Sequence, residues 1–282
     1  MTGHSSVYLR PQTLAQALTA LAAKRWTVLA GGTDFYAARA GQAITEPLLD
    51  ITAIPQLRIL GDEGVHWRIG AGVTWTQIVR AKLSAQFCGL QAAAREIGGL
   101  QVQNSGTVAG NICNASPAAD GIPALMALDA QIEISSLGGT RRVPLTAFVL
   151  GPRKTALLAG ELVTGILVRK REGARSSFLK LGHRRYLVIS IAMVSAVFDT
   201  DARGVIVYAG VAVGACSAVA QRLGTLEEKL VGRQGGPGLS ALVQPDDLLA
   251  LTPIDDVRGT GAYRRDAALT LAKRAIEQAF HG

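Results

Sequence analysis

Apolar positions along the chain change period several times, and each change marks an element. Leu14, Leu18, Leu21 and Ala22 recur at helical spacing behind Thr13 and Gln16, which stand as a capping box. Trp26–Ala30 reads as a short strand running into Gly31–Gly32, and Leu48–Ile51 as a second. A helix flanked by strands makes a small α/β unit over residues 1–55.

Residues 56–172 read as a second, α+β unit. His66–Ala71 is strand-like. Thr74 caps a helix to Ser84 with Ile78, Val79 and Leu83 on one side, and Gln91–Gly98 is a shorter helix. Gly106–Pro117 reads as a loop and Ala119–Leu128 as a helix. Gln131–Ser135 and Arg141–Val143 pair across Gly138–Gly139, and Leu162–Val168 is another strand. Residues 173–282 read as antiparallel strands at Ser177–Leu181, Ile189–Asp199 and Gly204–Gly214. Helices follow at Arg222–Val231, near Pro245–Leu251 and at Ala262–Phe280. The last carries an apolar stripe of Leu269, Ala272, Ile276 and Phe280, with Arg264, Arg265, Lys273 and Arg274 mostly elsewhere.

Composition narrows the function classes. Hydrophobic residues make up 49% but aromatics only 5%, so the core rests on Ala, Val, Leu and Ile. No apolar run reaches the roughly 20 residues that span a bilayer. Met1–Arg10 is polar, unlike a signal peptide, so a cytoplasmic location is expected. Cys88, Cys113 and Cys216 are widely spaced, which argues against a zinc site, a disulfide scaffold or an iron–sulfur cluster and for buried structural thiols. The net charge of +8 is scattered, with pairs at Arg141–Arg142, Arg184–Arg185 and Arg264–Arg265. Solvated surface, or a docking face for an acidic partner, fits better than nucleic-acid binding.

Two stretches carry candidate chemistry: LAGGTD at Leu29–Asp34 and TVAGNICNASPAAD at Thr107–Asp120. Glycine admits close ligand approach and positive φ, and successive N–H groups in such turns form anion-binding nests. Facing each other, the two loops suit a dinucleotide diphosphate. Neither is a Rossmann fingerprint or a P-loop. Gly31, Gly32, Thr33 and Asp34 also fit an ordinary strand-to-helix turn. Thr107 and Ser116 offer hydroxyls, and Gly110 and Asn111 suit a tight turn. Asp120 fits a helix start as readily as a hydrogen bond to a sugar hydroxyl. Of the histidines, His4, His66, His183 and His281, only His183 stands beside other charges. The chain shows no hydrolytic triad or metalloprotease motif.

Taken together, LAGGTD, QVQNSGTVAGNICNASPAAD at Gln101–Asp120, ELVTGILV at Glu161–Val168, FLKLGHRRYLVISIAMVSAVF at Phe178–Phe198 and GAYRRDAALTLAKRAI at Gly261–Ile276 resemble the FAD-binding middle subunit of the molybdenum hydroxylases. That group includes xanthine, carbon monoxide and nicotine dehydrogenases. The resemblance implies an α+β fold: a two-part FAD-binding domain of vanillyl-alcohol oxidase (PCMH) type, then a domain with a three-stranded antiparallel sheet and a helical bundle. It also implies that Val28, Leu29, Ala30, Gly31, Gly32, Thr33, Asp34 and Phe35 wrap one side of the FAD diphosphate. Thr107, Ala109, Gly110 and Asn111 wrap the other, with Ser116 nearby and Asp120 toward the ribityl or ribose end. Ile97 packs on the cofactor, Leu162 or Val163 contacts it near the flavin, and Lys180 lies near the isoalloxazine, where a solvated strand lysine is the other reading. The sequence departs from the pattern at Ala109, where many relatives have Gly, and at Gln103, where many have Arg. An alanine needing positive φ would be strained.

What the resemblance implies is a flavoprotein oxidoreductase subunit in a heterotrimer or a dimer of heterotrimers, with no catalytic residue of its own and no metal ligand. A small subunit with two [2Fe–2S] clusters would pass electrons to FAD. A large molybdopterin subunit would hydroxylate an N-heterocycle or aldehyde. NAD⁺, O₂, a quinone or a cytochrome would take the electrons away. A stand-alone flavin oxidase or reductase is the alternative, and a basic scaffold or nucleic-acid-binding protein a distant one.

Overall fold

The first unit is built on the pattern that begins at Thr13. The computed structural model describes residues 7–281, so His4 and most of the polar start lie outside the described residues. β1 (Tyr8–Leu9), α1 (Leu14–Ala23), β2 (Thr27–Leu29), α2 (Thr33–Ala37) and β3 (Leu48–Asp50) fold together, the strands parallel in the order β1-β3-β2. The Thr13–Gln16 capping box closes the start of α1, which buries Ala17, Leu18 and Leu21. α2 had no apolar period to announce it. It starts from Gly32, whose φ of 70° turns the chain out of β2.

In the second unit β4 (Leu60–Glu63) and β5 (His66–Gly70) precede five helices: α3 (Trp75–Arg80), α4 (Cys88–Glu96), α5 (Leu100–Ser105), α6 (Val108–Asn114) and α7 (Gly121–Ala127). Then come β6 (Gln131–Ser136), β7 (Gly139–Pro144), α8 (Leu145–Phe148), the small hairpin β8 (Val149–Gly151) and β9 (Lys154–Thr155), and β10 (Leu162–Arg169). The main sheet is antiparallel in the order β4-β5-β10-β6-β7. Its central strand β10 is buried from Leu162 to Val168 on both faces. One face holds a buried polar cluster in which the Glu133 carboxylate accepts from Arg68 at 2.5 Å, Arg142 at 3.4 Å and Thr164 at 3.0 Å. Thr74 and Gln77 form a second capping box on α3. The expected loop Gly106–Pro117 is instead mostly α6. The Thr107 hydroxyl caps it by accepting from the Gly110 N–H at 2.9 Å, which stabilises a helix whose small residues give no amphipathic signal.

The third unit is a sheet of β11 (Arg175–Leu181), β12 (Ala192–Thr200), β13 (Ile206–Gly214) and β14 (Gln221–Arg222), covered by α9 (Gly224–Leu230) and α10 (Gly261–His281). The two-residue β14 extends the expected three long strands to four. β12 starts three residues later than expected, because Arg184 donates to the Tyr186 and Leu187 carbonyls and closes that stretch into a loop. α10 buries Ala268, Leu271, Ala272, Ala275 and Ile276, while Leu269 and Phe280 of the expected stripe are half-buried. Arg264, expected on the solvated side, is 3% exposed. It donates to the carbonyls of Ile191 and Ala215 and pairs with Asp256 at 2.6 Å, tying the helix start to the sheet. The units are joined by polar contacts as well as apolar packing. Gly89 N–H of α4 donates to Ser176 Oγ at 2.8 Å, and Tyr208 Oη donates to the Ala127 carbonyl at 2.7 Å.

Candidate cofactor site

The end of β2 and the start of α6 face each other across a cavity of about 380 Å³. That volume falls in the range of sites that bury a small-molecule ligand. The turn after β2 reaches the cavity because it lies flat on the chain between α5 and α6. A Cβ placed on Gly31 would stand 2.6 Å from the Ser105 carbonyl carbon and 2.8 Å from Gly106 Cα. Only a bare backbone allows that approach. Gly31 is therefore required by contact between the two loops, and Gly32 by its positive φ. The second loop is fixed from the other side, where Trp75 N–H donates to Gly106 O and Val108 N–H to Val73 O.

Most of the nominated residues lie on this cavity. Val28, Leu29, Ala30, Gly31, Gly32, Thr33, Asp34 and Phe35 form one wall. Thr107, Ala109, Gly110 and Asn111 form the facing one, and Ile97, Leu162 and Val163 supply apolar surface. Ser116, Asp120 and Lys180 do not line it. The Ser116 hydroxyl accepts from Ala118 N–H within its own turn. Ala109 lies in α6 with no positive φ and is 4% exposed, so the departure from glycine carries no backbone strain. Gln103 is buried and donates to the Arg95 carbonyl at 3.1 Å, away from the cavity. His183 is exposed.

Asp120 and Lys180 find each other. Lys180 Nζ lies 2.8 Å from Asp120 Oδ2, with side chains 6% and 9% exposed, and Ser190 Oγ donates to the other carboxylate oxygen at 2.5 Å. Asp120 precedes α7 but makes no cap hydrogen bond, and Lys180 is not solvated. The solvated reading of Lys180 falls, whereas Asp120 does stand at a helix start, its carboxylate spent on Lys180 and Ser190 rather than on a cap. Burial pushes the Asp120 carboxyl above its ordinary range, against the pull of Lys180 and Ser190. Lys180 also reaches the Glu96 carbonyl at 3.4 Å, the residue before the cavity-lining Ile97. The pair thus joins the third unit to the turn that presents Ile97.

Several lining groups were missed. Trp75, Val102, Cys113, Asn114, Leu157, Arg39, Arg153 and Glu161 all border the cavity. Asn114 and Cys113 sit inside the quoted Gln101–Asp120 run and were open to nomination. Arg153 had no sequence signal, because what sets it apart is a left-handed backbone, φ 60°. The cysteines also differ from the expected buried set: Cys216 is buried, Cys113 partly so and Cys88 exposed. Burial pushes the Cys113 thiol up to about 12, so it stays protonated and inert.

The lining fits a nucleotide-sized ligand with hydroxyls and negative charge. Asn111 Oδ1 is buried with no hydrogen-bond partner, although an acceptor of this kind costs on the order of 1–3 kcal/mol when left unmet. Among the described residues no cluster of His, Cys, Asp and Glu could hold a metal ion, and no helix is long and apolar enough to cross a membrane.

Comparison with known proteins gives the same kind of ligand. Residues 3–168 match the family model of the FAD binding domain in molybdopterin dehydrogenase. Residues 177–279 match the carbon monoxide dehydrogenase flavoprotein C-terminal domain. The chain is 32% identical to the nicotinate dehydrogenase FAD-subunit of Eubacterium barkeri over 73% of its length and 71% of that protein's. It is 27% identical to the nicotine 6-hydroxylase medium subunit of Paenarthrobacter nicotinovorans, over 89% of each. The fold superposes on a chain of carbon monoxide dehydrogenase from Hydrogenophaga pseudoflava with a TM-score of 0.88 at 27% identity, covering 98% of this chain and 97% of that one. The chain belongs to the FAD-binding medium subunits of the molybdenum hydroxylases, a family of flavoprotein oxidoreductase subunits in molybdopterin-dependent dehydrogenases.

Proposed function

We propose that this chain carries FAD in the cavity between its two facing loops and serves as the electron outlet of a three-part molybdenum hydroxylase. The observation that carries the reading is the approach of two bare-backbone loops, Gly31 against Ser105–Gly106, beside one cavity that both line. The segments Val28–Phe35 and Thr107–Asn111 would hold the diphosphate. Ile97, Val102, Leu162 and Val163 would pack on the rings. Bound FAD supplies a carrier that takes electrons singly and releases them in pairs. Lys180 and Asp120, spent on each other, act by fixing the Glu96–Ile97 turn rather than by contact. The architecture we infer for the first two units is that of PCMH-type flavoproteins.

The partners in this reading are a small subunit with two [2Fe–2S] clusters and a large molybdopterin subunit that hydroxylates an N-heterocycle or aldehyde. The acceptor is an external one such as NAD⁺, O₂, a quinone or a cytochrome. The match of residues 177–279 to the carbon monoxide dehydrogenase flavoprotein C-terminal domain supports a subunit of such a complex rather than a stand-alone oxidase. Affinity purification of the tagged chain from its native host tests this. Molybdenum, iron and flavin are expected to co-purify with two further polypeptides. A flavin-loaded chain that turns over an organic substrate alone would overturn it.

A further inference from the structure

Arg153 occupies the tip of the β8–β9 hairpin in a left-handed conformation, φ 60°. For a residue with a Cβ that backbone costs on the order of 1–2 kcal/mol, and glycine would take it up freely. Strain of this kind held in place by surrounding structure points to a use for the side chain. The tip is clamped to the end of α6. Arg153 N–H donates to the Ala115 carbonyl at 3.0 Å, and Arg153 Nη1 donates to Asn114 Oδ1. Ala115 is itself left-handed, φ 46°. The clamp sets Arg153, an exposed residue, at the edge of the cavity.

The other cavity-lining charges are accounted for. Arg39 pairs with Glu46 at 2.6 Å, and Glu161 pairs with Arg141 at 2.7 Å. Asp34 lies in the first turn of α2, where a carboxylate favours the helix. Among the described residues no carboxylate pairs with Arg153, and its side-chain partner is the neutral Asn114 amide. It therefore brings a positive charge to a cavity bordered by bare loop backbone.

We infer that Arg153 is an anion-recognition residue of this site and donates to a phosphate oxygen of the bound dinucleotide, with Asn114 positioning it. The inference rests on the FAD reading and adds a third element, the hairpin tip, to the two loops. An arginine suits the role because its fork of donors matches phosphate oxygens.

The test is an FAD titration of the deflavinated full-length chain at several salt concentrations, with ADP as competitor and circular dichroism as a check of folding. Wild-type binding tests the underlying reading. Its failure would remove both claims, whereas failure confined to the variants would remove only this one. Arg153→Met is expected to weaken both FAD and ADP by roughly tenfold or more and to flatten the salt dependence. Arg153→Lys, which keeps the charge, is expected to retain most of that dependence, and Asn114→Ala to lie between. A folded Arg153→Met protein with wild-type FAD affinity and salt dependence would overturn the assignment.

Discussion

Replacing Gly31 by alanine probes the junction on which the cavity depends. The new Cβ would stand 2.6 Å from the Ser105 carbonyl carbon and 2.8 Å from Gly106 Cα, both backbone atoms that cannot rotate aside. The Ser105 carbonyl oxygen is nearer still and ordinary contact begins at 3.4 Å, so the loops must part by well over 1 Å. Overpacking of this kind costs about 1–3 kcal/mol. Part of that cost falls on the fold and part on a ligand that must touch both loops, at a tenfold loss of affinity for each 1.4 kcal/mol. Gly32→Ala provides the comparison. Its φ of 70° adds about 1–2 kcal/mol of strain, but its Cβ would crowd the exposed Tyr36 ring, which can turn away, and reach Leu29 Cδ1 only at an ordinary 3.4 Å. Flavin content after purification and the melting temperature of the deflavinated chain should therefore both fall further for Gly31→Ala than for Gly32→Ala. A turn-only account, in which positive φ is all that matters, gives the opposite order. If Gly32→Ala is the worse of the two, the loop-contact argument is wrong.

Three other changes have defined outcomes. Ala109→Gly relieves no strain and inserts glycine into α6, so stability should drop by about 0.5–1 kcal/mol in denaturant unfolding, where a rise would show that position 109 needs positive φ. Lys180→Met strands the buried Asp120 carboxylate and should cost about 3–5 kcal/mol, much of it recovered in the Lys180→Met/Asp120→Asn double variant; strictly additive losses would refute the pairing. Burial raises the Glu133 carboxyl but hydrogen bonds from Arg68, Thr164 and Arg142 outweigh it and hold the group below its ordinary 4.5. Folding thus favours the ionised form, a contribution present above about pH 4.5 and lost as the pH falls through the lower folded value. Melting temperature should decline less steeply below that pH in Glu133→Gln than in the parent, and equal slopes would contradict the cluster.

Where the sequence was legible, a local rule and the tertiary structure agreed. The capping boxes at Thr13 and Thr74 and the strand alternation around Gly138–Gly139 each fix an element without help from elsewhere. α6 was invisible because its Val-Ala-Gly-Asn start has neither amphipathic period nor strong propensity, and the Thr107 cap is what stabilises it. The same holds for the site. The two small-residue loops were visible as composition, but the reason for Gly31 lies in the Ser105–Gly106 backbone, far away in sequence. Asp120 was read as facing a ligand or starting a helix and Lys180 as facing a ligand or solvent, since nothing local reveals that one buried charge is matched by another sixty residues on. Arg153 was missed for a similar reason: a left-handed backbone at a hairpin tip leaves no trace in residue type.

The central claim is that this cavity binds FAD, and equilibrium titration of the deflavinated chain tests it most directly. The account predicts saturation at one FAD per chain, with flavin fluorescence changing on binding, and weaker binding in Gly31→Ala, which forces the two loops apart. No binding by the folded wild-type chain, alone or assembled with its partners, would contradict it.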